Sequence, residues 1–153
     1  MPHFSSFVLC SAGRDQGSFQ FELTALALHM RFYLRSLHRF LGSAVPRRLS
    51  VSDFSSLTRQ SVLESQLLSP IGEEFDNVDC VFDSQRTRGR GYYLDVCFHV
   101  HATAPSGRLL ELVDGGSVYW SHKLLSSSKE RLVISGIGSE RVCTEFRSSD
   151  KDG

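Results

Sequence analysis

The sequence has no apolar run approaching the ~20 residues that a helix needs to cross a bilayer, so no membrane-spanning segment is expected in its 153 residues. Met1 to Cys10 lacks the basic stretch and long apolar core of a signal peptide. The four cysteines, Cys10, Cys80, Cys97 and Cys143, stand far apart with no C-x-x-C pair. Zinc-ribbon and thioredoxin chemistry therefore have no basis. Three of the four fall in apolar, strand-like runs, as reduced thiols of a cytoplasmic protein do. Neither sign of charge is in excess: Lys+Arg and Asp+Glu are 17 each, for a formal net charge of zero. Such a chain has no global field to gather nucleic acid or an anionic membrane, and only Arg86, Arg88 and Arg90 suggest a local basic patch. Internal repeats and linker-like stretches are also missing. The length fits one domain over residues 1–147, followed by a polar, frayed tail at 148–153.

What is present is a hydrophobic fraction of 41%, enough for a core, and a change of period partway along. Phe4 to Cys10 reads as a strand and Ser11 to Ser18 as a loop, with Ser18 as an N-cap. Phe19, Leu23, Leu26, Met30, Tyr33, Leu37 and Leu41 then recur at steps of three and four, one face of a helix that Gly42 stops. Arg47 to Val51 is a candidate strand and Asp53 to Leu68 a second helix, ended by Pro70 and Gly72. The acidic Glu73, Glu74 and Asp76 read as a solvated loop. From Asn77 the period becomes two: Val78 to Phe82 is a strand, and Tyr92 to Val100 alternates apolar with mixed-polar residues. A turn at Pro105-Ser106-Gly107 leads to Leu109 to Val113 as its hairpin partner. Ser121 to Ser128 is polar and partly helical. Leu132 to Ser135 is a buried strand that Gly136 and Gly138 break, and a helix starts at Ser139. The fold class expected is α+β, a mostly antiparallel sheet flanked by helices.

Few residues point to chemistry by themselves. His99 and His101 lie at i and i+2 on one strand face, but no third metal ligand is identifiable, so the pair is read as polar-face residues and no metal site is assigned. Cys97 beside them suggests a Cys/His nucleophile pair, without an orienting motif. Gly136-Ile137-Gly138 falls short of a dinucleotide fingerprint because Arg141 stands where a third glycine belongs. A strand ending in glycines, with an arginine on the helix that follows, instead suits an anionic ligand lying against backbone.

Three segments carry a family resemblance. Arg88-Gly89-Arg90-Gly91-Tyr92-Tyr93, after a strand ending Val81-Phe82-Asp83, resembles the R-G-L-D-Y-Y signature of histidyl-tRNA synthetases. Asp114-Gly115-Gly116-Ser117-Val118-Tyr119 is similar to the G-G-R-Y stretch of that family. Gly136-Ile137-Gly138-Ser139-Glu140-Arg141 looks like motif 3 of class II synthetases, G-x-E-R at a helix start. The order and spacing match the family's, and the first half of the chain, with Glu22 on its long helix, resembles the segment after motif 2 more loosely.

The resemblance implies a class II catalytic core, in its C-terminal half, and ATP with magnesium as cofactor. Synthetases of this class activate an amino acid with ATP, so arginines stabilise the developing phosphate charge. Arg88 and Arg141 would take the catalytic places, Arg141 at the ATP phosphates and Arg88 near the amino acid carboxylate. Tyr92 and Tyr93 would wall the amino acid pocket. Gly115 and Gly116, beside Asp114, would let substrate lie near the sheet, with Gly138 under the adenine and Glu140 completing motif 3. The chain departs from the pattern at Arg90-Gly91, where the family has Leu-Asp, at Ser117, where it has arginine, and at His99, commonly acidic. No segment resembles motif 1 or motif 2. The expectation is a synthetase-like paralogue that binds an amino acid or adenine nucleotide without being a complete synthetase. The alternatives are a ligase subunit completed by another chain and a non-catalytic interaction module. A homodimer or complementing chain is a possible partner, and tRNA a doubtful one.

Overall fold

The apolar spacing after Phe19 becomes α1 (Gln20–Leu41), whose buried face is Leu23, Leu26, Met30, Tyr33, Leu34 and Leu37. A computed structural model describes residues 5–55 and 59–146. The tail expected at 148–153 lies outside them, as do Phe4 of the first expected strand and Leu57 of the second expected helix. The helix does not start on a Ser18 cap. Ser18 (φ 49) and Phe19 (φ 62) are both left-handed, and Phe19 takes the cap position without a side-chain hydrogen bond. Asp15 instead accepts the amide of Gly17 at 2.9 Å, closing the turn before the helix.

Six strands form one sheet in the order β1-β6-β5-β4-β2-β3. They are β1 (Ser6–Arg14), β2 (Arg47–Asp53), β3 (Val78–Phe82), β4 (Val96–Thr103), β5 (Leu109–Val118) and β6 (Glu130–Gly138). Only β2 and β3 run parallel; every other pairing is antiparallel. The α+β architecture with a mostly antiparallel sheet flanked by helices is therefore present. Leu49, Val51, Phe98, Val100, Val113 and Val133 pack with α1 into one core, which covers one face of the sheet. The other face carries Cys97, His99, His101, Glu111, Asp114 and Gly116 on β4 and β5.

Several boundaries differ from the sequence reading. Ser11 to Arg14 is strand, because β1 pairs with β6 through Arg14↔Glu130. Gly136 and Gly138 do not break β6 but pair with Val8 and Ser6. Tyr92 to Asp95 is irregular and β4 begins only at Val96. The second helix starts at Gln60 as α2 (Gln60–Leu63), passes through a π-helical turn (Glu64–Leu68) and continues past Pro70 as α3 (Ser69–Glu74). The wider π turn shifts the carbonyls that a proline ring would otherwise strike. Glu73 and Glu74 are thus helical rather than loop, and Glu74 accepts from both Arg31 and Arg35 of α1. Among the described residues there are two further short helices, α4 (Trp120–Leu124) and α5 (Ser139–Glu145). Among the described residues no helix is long and apolar enough to cross a membrane.

Candidate functional site

The uncovered face of the sheet holds a cavity of about 660 Å³. Of the residues expected in a site, Arg88, Tyr92, Tyr93, Asp114, Gly138 and Arg141 line it. They come from three places: the irregular segment before β4, the middle of β5, and the junction of β6 with α5. Sheet pairing assembles them, since Asp114 lies opposite Gly136 across β5 and β6 and opposite His99 across β5 and β4.

Glycines have two different jobs here. A Cβ on Gly138 would meet nothing within 4 Å, and one on Gly136 only the edge of β1 at 3.7 Å. Both leave the cavity wall bare. Gly115 and Gly116 are not among the lining residues; they are occluded by neighbours. A Cβ on Gly115 would fall 2.5 Å from Ser135 Cβ, and one on Gly116 2.6 Å from Tyr93 Cδ1 and 2.7 Å from the Val96 carbonyl. Gly89 also stands outside the lining. Its positive φ of 91° makes the turn whose carbonyl accepts the amides of Tyr92 and Tyr93. Glu140 is exposed in the first turn of α5.

The arginines are tethered by Glu111, a residue that sequence reasoning missed. Arg88 Nη1 donates to Glu111 Oε2 at 3.3 Å, and Arg141 Nη1 donates to the Glu111 carbonyl at 3.0 Å. Both side chains stay largely in solvent, free to reorient toward a ligand. Arg86 behaves otherwise and does not form a basic patch with its neighbours. It is buried, donating to the Arg88 carbonyl at 2.8 Å and to Asp114 Oδ1 at 3.0 Å. Arg90 lies over the Phe54 ring, 4.8 Å from its centroid.

Asp114 is the electrostatic centre. Burial pulls its carboxyl upward, but the neighbouring His99 and Arg86 outweigh it and hold it below the usual carboxylate range. Burial raises the Tyr93 hydroxyl, and the Asp114 carboxylate that accepts from it adds to the shift, so this phenol stays protonated. Tyr92 packs edge-on against Tyr93 at 4.9 Å and against Trp120 at 5.8 Å. Tyr92 and Trp120 are each half exposed, which makes an aromatic wall on one side. Trp120 and Glu111 also line the cavity and were not singled out from sequence, whereas Gly136 was.

The Cys97/His99 nucleophile idea does not survive. Cys97 is fully buried, and burial pushes its thiol up to about 12, far from a thiolate at neutral pH.

Neither a protein-family model nor a curated protein sequence matches the chain. Solved structures do match in fold. Apo histidyl-tRNA synthetase of S. aureus superposes with a TM-score of 0.61 at 19% identity, covering 91% of this chain and 38% of that one. The RNA binding domain of threonyl-tRNA synthetase from Cryptosporidium parvum Iowa II gives 0.51 at 11% identity, covering 81% of this chain and 33% of that one. The chain thus spans well under half the length of either. At these identities the likeness is one of fold, and the fold is aminoacyl-tRNA synthetase-like.

Proposed function

We propose that the open face of the sheet binds a small zwitterionic or anionic ligand, an amino acid or an adenine nucleotide, as a class II, histidyl-type synthetase core does. The observation carrying this reading is convergence. Arg88, Asp114 and Arg141 belong to three separate sequence signatures, yet line one cavity. An amino acid or aminoacyl phosphate presents a carboxylate or phosphate, an ammonium and a side chain. Exposed guanidiniums suit the first. Asp114, with 38% of its side chain exposed, suits the second, and the Tyr92–Trp120 wall suits a ring. Bare backbone at Gly136 and Gly138 lets a flat group approach the sheet. A nucleotide would bring magnesium with its phosphates.

The proposal is one of binding, because what the cavity brings together is Arg88, Asp114 and Arg141. The test is thermal stability with ATP–magnesium, histidine and other amino acids, alone and together. A ligand at 100 times its Kd adds about 2.7 kcal/mol. Arg141→Ala should abolish the ATP–magnesium shift while leaving the unliganded melting point unchanged. Absence of any shift at millimolar ligand would leave an interaction module. Pyrophosphate release in the presence of an amino acid and ATP would instead favour a ligase subunit, alone or with a complementing chain.

A further inference from the structure

Two imidazoles on β4 have buried nitrogens with no hydrogen-bond partner. These are His99 Nε2 and His101 Nδ1, on rings set edge to face with centroids 5.5 Å apart. The His99 side chain is only 10% exposed, so water does not readily satisfy it, and an orphaned buried polar atom normally costs stability. His99 Nε2 lies 3.2 Å from Asp114 Oδ1 and 3.7 Å from Glu111 Oε2. Neither approach is aligned as a hydrogen bond.

The sequence offers these histidines no third ligand; β5 does. The β4–β5 register slips between Val100 and His101, so His101 pairs with Glu111, Val100 with Val113 and His99 with Asp114. Leu112 is the extra residue of a bulge. Without it, Glu111 and Asp114, three positions apart, would point to opposite faces. With it, both join the two histidines on the open face. One ligand atom from each of His99, His101 and Glu111 lies within 4.8 Å of the others.

We infer that His99, His101 and Glu111 form a binding site for a divalent ion of the zinc type, with Asp114 beside it. Two imidazoles and a carboxylate are a borderline nitrogen–oxygen set that favours zinc, cobalt or nickel. Magnesium and calcium demand oxygen ligands and are poorly served. Tetrahedral zinc holds its ligand atoms about 3.3–3.5 Å apart, closer than the 4.8 Å that bounds this set, so binding would draw the three side chains together and turn Glu111 from Arg88. The Arg88 contact it would leave is solvent-exposed and therefore weak. Three protein ligands leave a fourth position free, as in sites that bind water or a substrate group. Glu111 and Asp114 also line the cavity, which puts the ion at its margin.

Zinc is titrated alone into the chain by calorimetry, so the outcome is independent of the amino acid or nucleotide reading. Cys10 and Cys143 are exposed thiols, and because thiolates are zinc ligands both are first changed to Ser. The expected result is one ion per chain, with cobalt giving the intense visible absorption of a tetrahedral site. Even residues that merely support metal ligands are typically worth 10–100-fold. His101→Asn and Glu111→Gln should each weaken zinc at least that much, with circular dichroism unchanged. If His99→Asn fails to fold, the other two variants decide. Absence of binding at millimolar zinc in the Cys→Ser background, or binding that survives both His101→Asn and Glu111→Gln, overturns the inference.

Discussion

Gly116 and Gly138 are the same residue type on the same face of the sheet, yet they answer to different demands. Gly116 is closed in by Tyr93, Val96 and Cys97, so Gly116→Ala is expected to cost about 1–3 kcal/mol, the usual penalty of overpacking. Gly138 opens on empty space, and Gly138→Ala should leave the melting temperature unchanged while lowering affinity for any ligand of the cavity. Equal melting temperatures for the two variants would contradict this packing. Thiol chemistry divides at the same scale. Cys10 and Cys143 are exposed, whereas burial pushes Cys80 up to about 11 and Cys97 up to about 12. A colorimetric thiol reagent should titrate two fast equivalents in the folded chain and four in denaturant. Fast reaction of Cys97 would mean that β4 is not buried.

At the scale of elements, α1 is fastened to the sheet by a buried polar cluster as well as by its apolar face. His29 lies 2.7 Å from Ser135 Oγ through Nδ1 and 2.8 Å from Ser11 Oγ through Nε2, and the Ser135 hydroxyl also donates to Tyr33. Burial lowers the pKa of His29 from its ordinary 6.5. Between that lowered value and about 6.5 the unfolded chain takes up a proton that the folded chain refuses. Stability is therefore whole above about pH 6.5 and falls as pH drops through that window. Urea unfolding at pH 7 and pH 5.5 should show the loss, and His29→Gln should flatten the slope; an unchanged slope would exclude His29 as its source. The helical stretch from Gln60 to Glu74 is held to α1 by Glu74 against Arg31 and Arg35. These pairs are partly exposed, so Glu74→Ala should cost no more than about 1 kcal/mol, read from the shift in the urea midpoint.

For the whole molecule, charge balance and sheet coverage set what can approach. Formal neutrality, with Arg86 buried against Asp114 and Arg90 laid over Phe54, leaves no basic surface built from that segment. Binding of unstructured RNA should be weak even in low salt. A fluorescence-anisotropy isotherm with a steep salt dependence would contradict this, because each neutralised phosphate of a single strand adds about 0.7 units to the log–log slope. One face of the sheet is filled by α1 and the Gln60 to Glu74 stretch, and the other is left to the cavity.

The sequence by itself determined the elements whose signal is local. The three–four spacing of Leu23, Leu26, Met30, Tyr33 and Leu37 is set by helix geometry alone, and the alternation through Val96, Phe98 and Val100 by the pleat. The three signatures around Arg88, Asp114 and Arg141 were legible as motifs for the same reason. Element ends were less so: glycines that look like breakers at Gly136 and Gly138 are held in β6 by pairing with β1, and Pro70 is absorbed by a π turn. Only the tertiary structure decided that Arg88, Asp114 and Arg141 share a cavity, that Gly116 is packed and Gly138 open, and that Glu111 joins two histidines. Each of these depends on which residue lies opposite which across neighbouring strands. A one-residue bulge at Leu112 changes which side chains share a face, and no periodicity within a single strand records it.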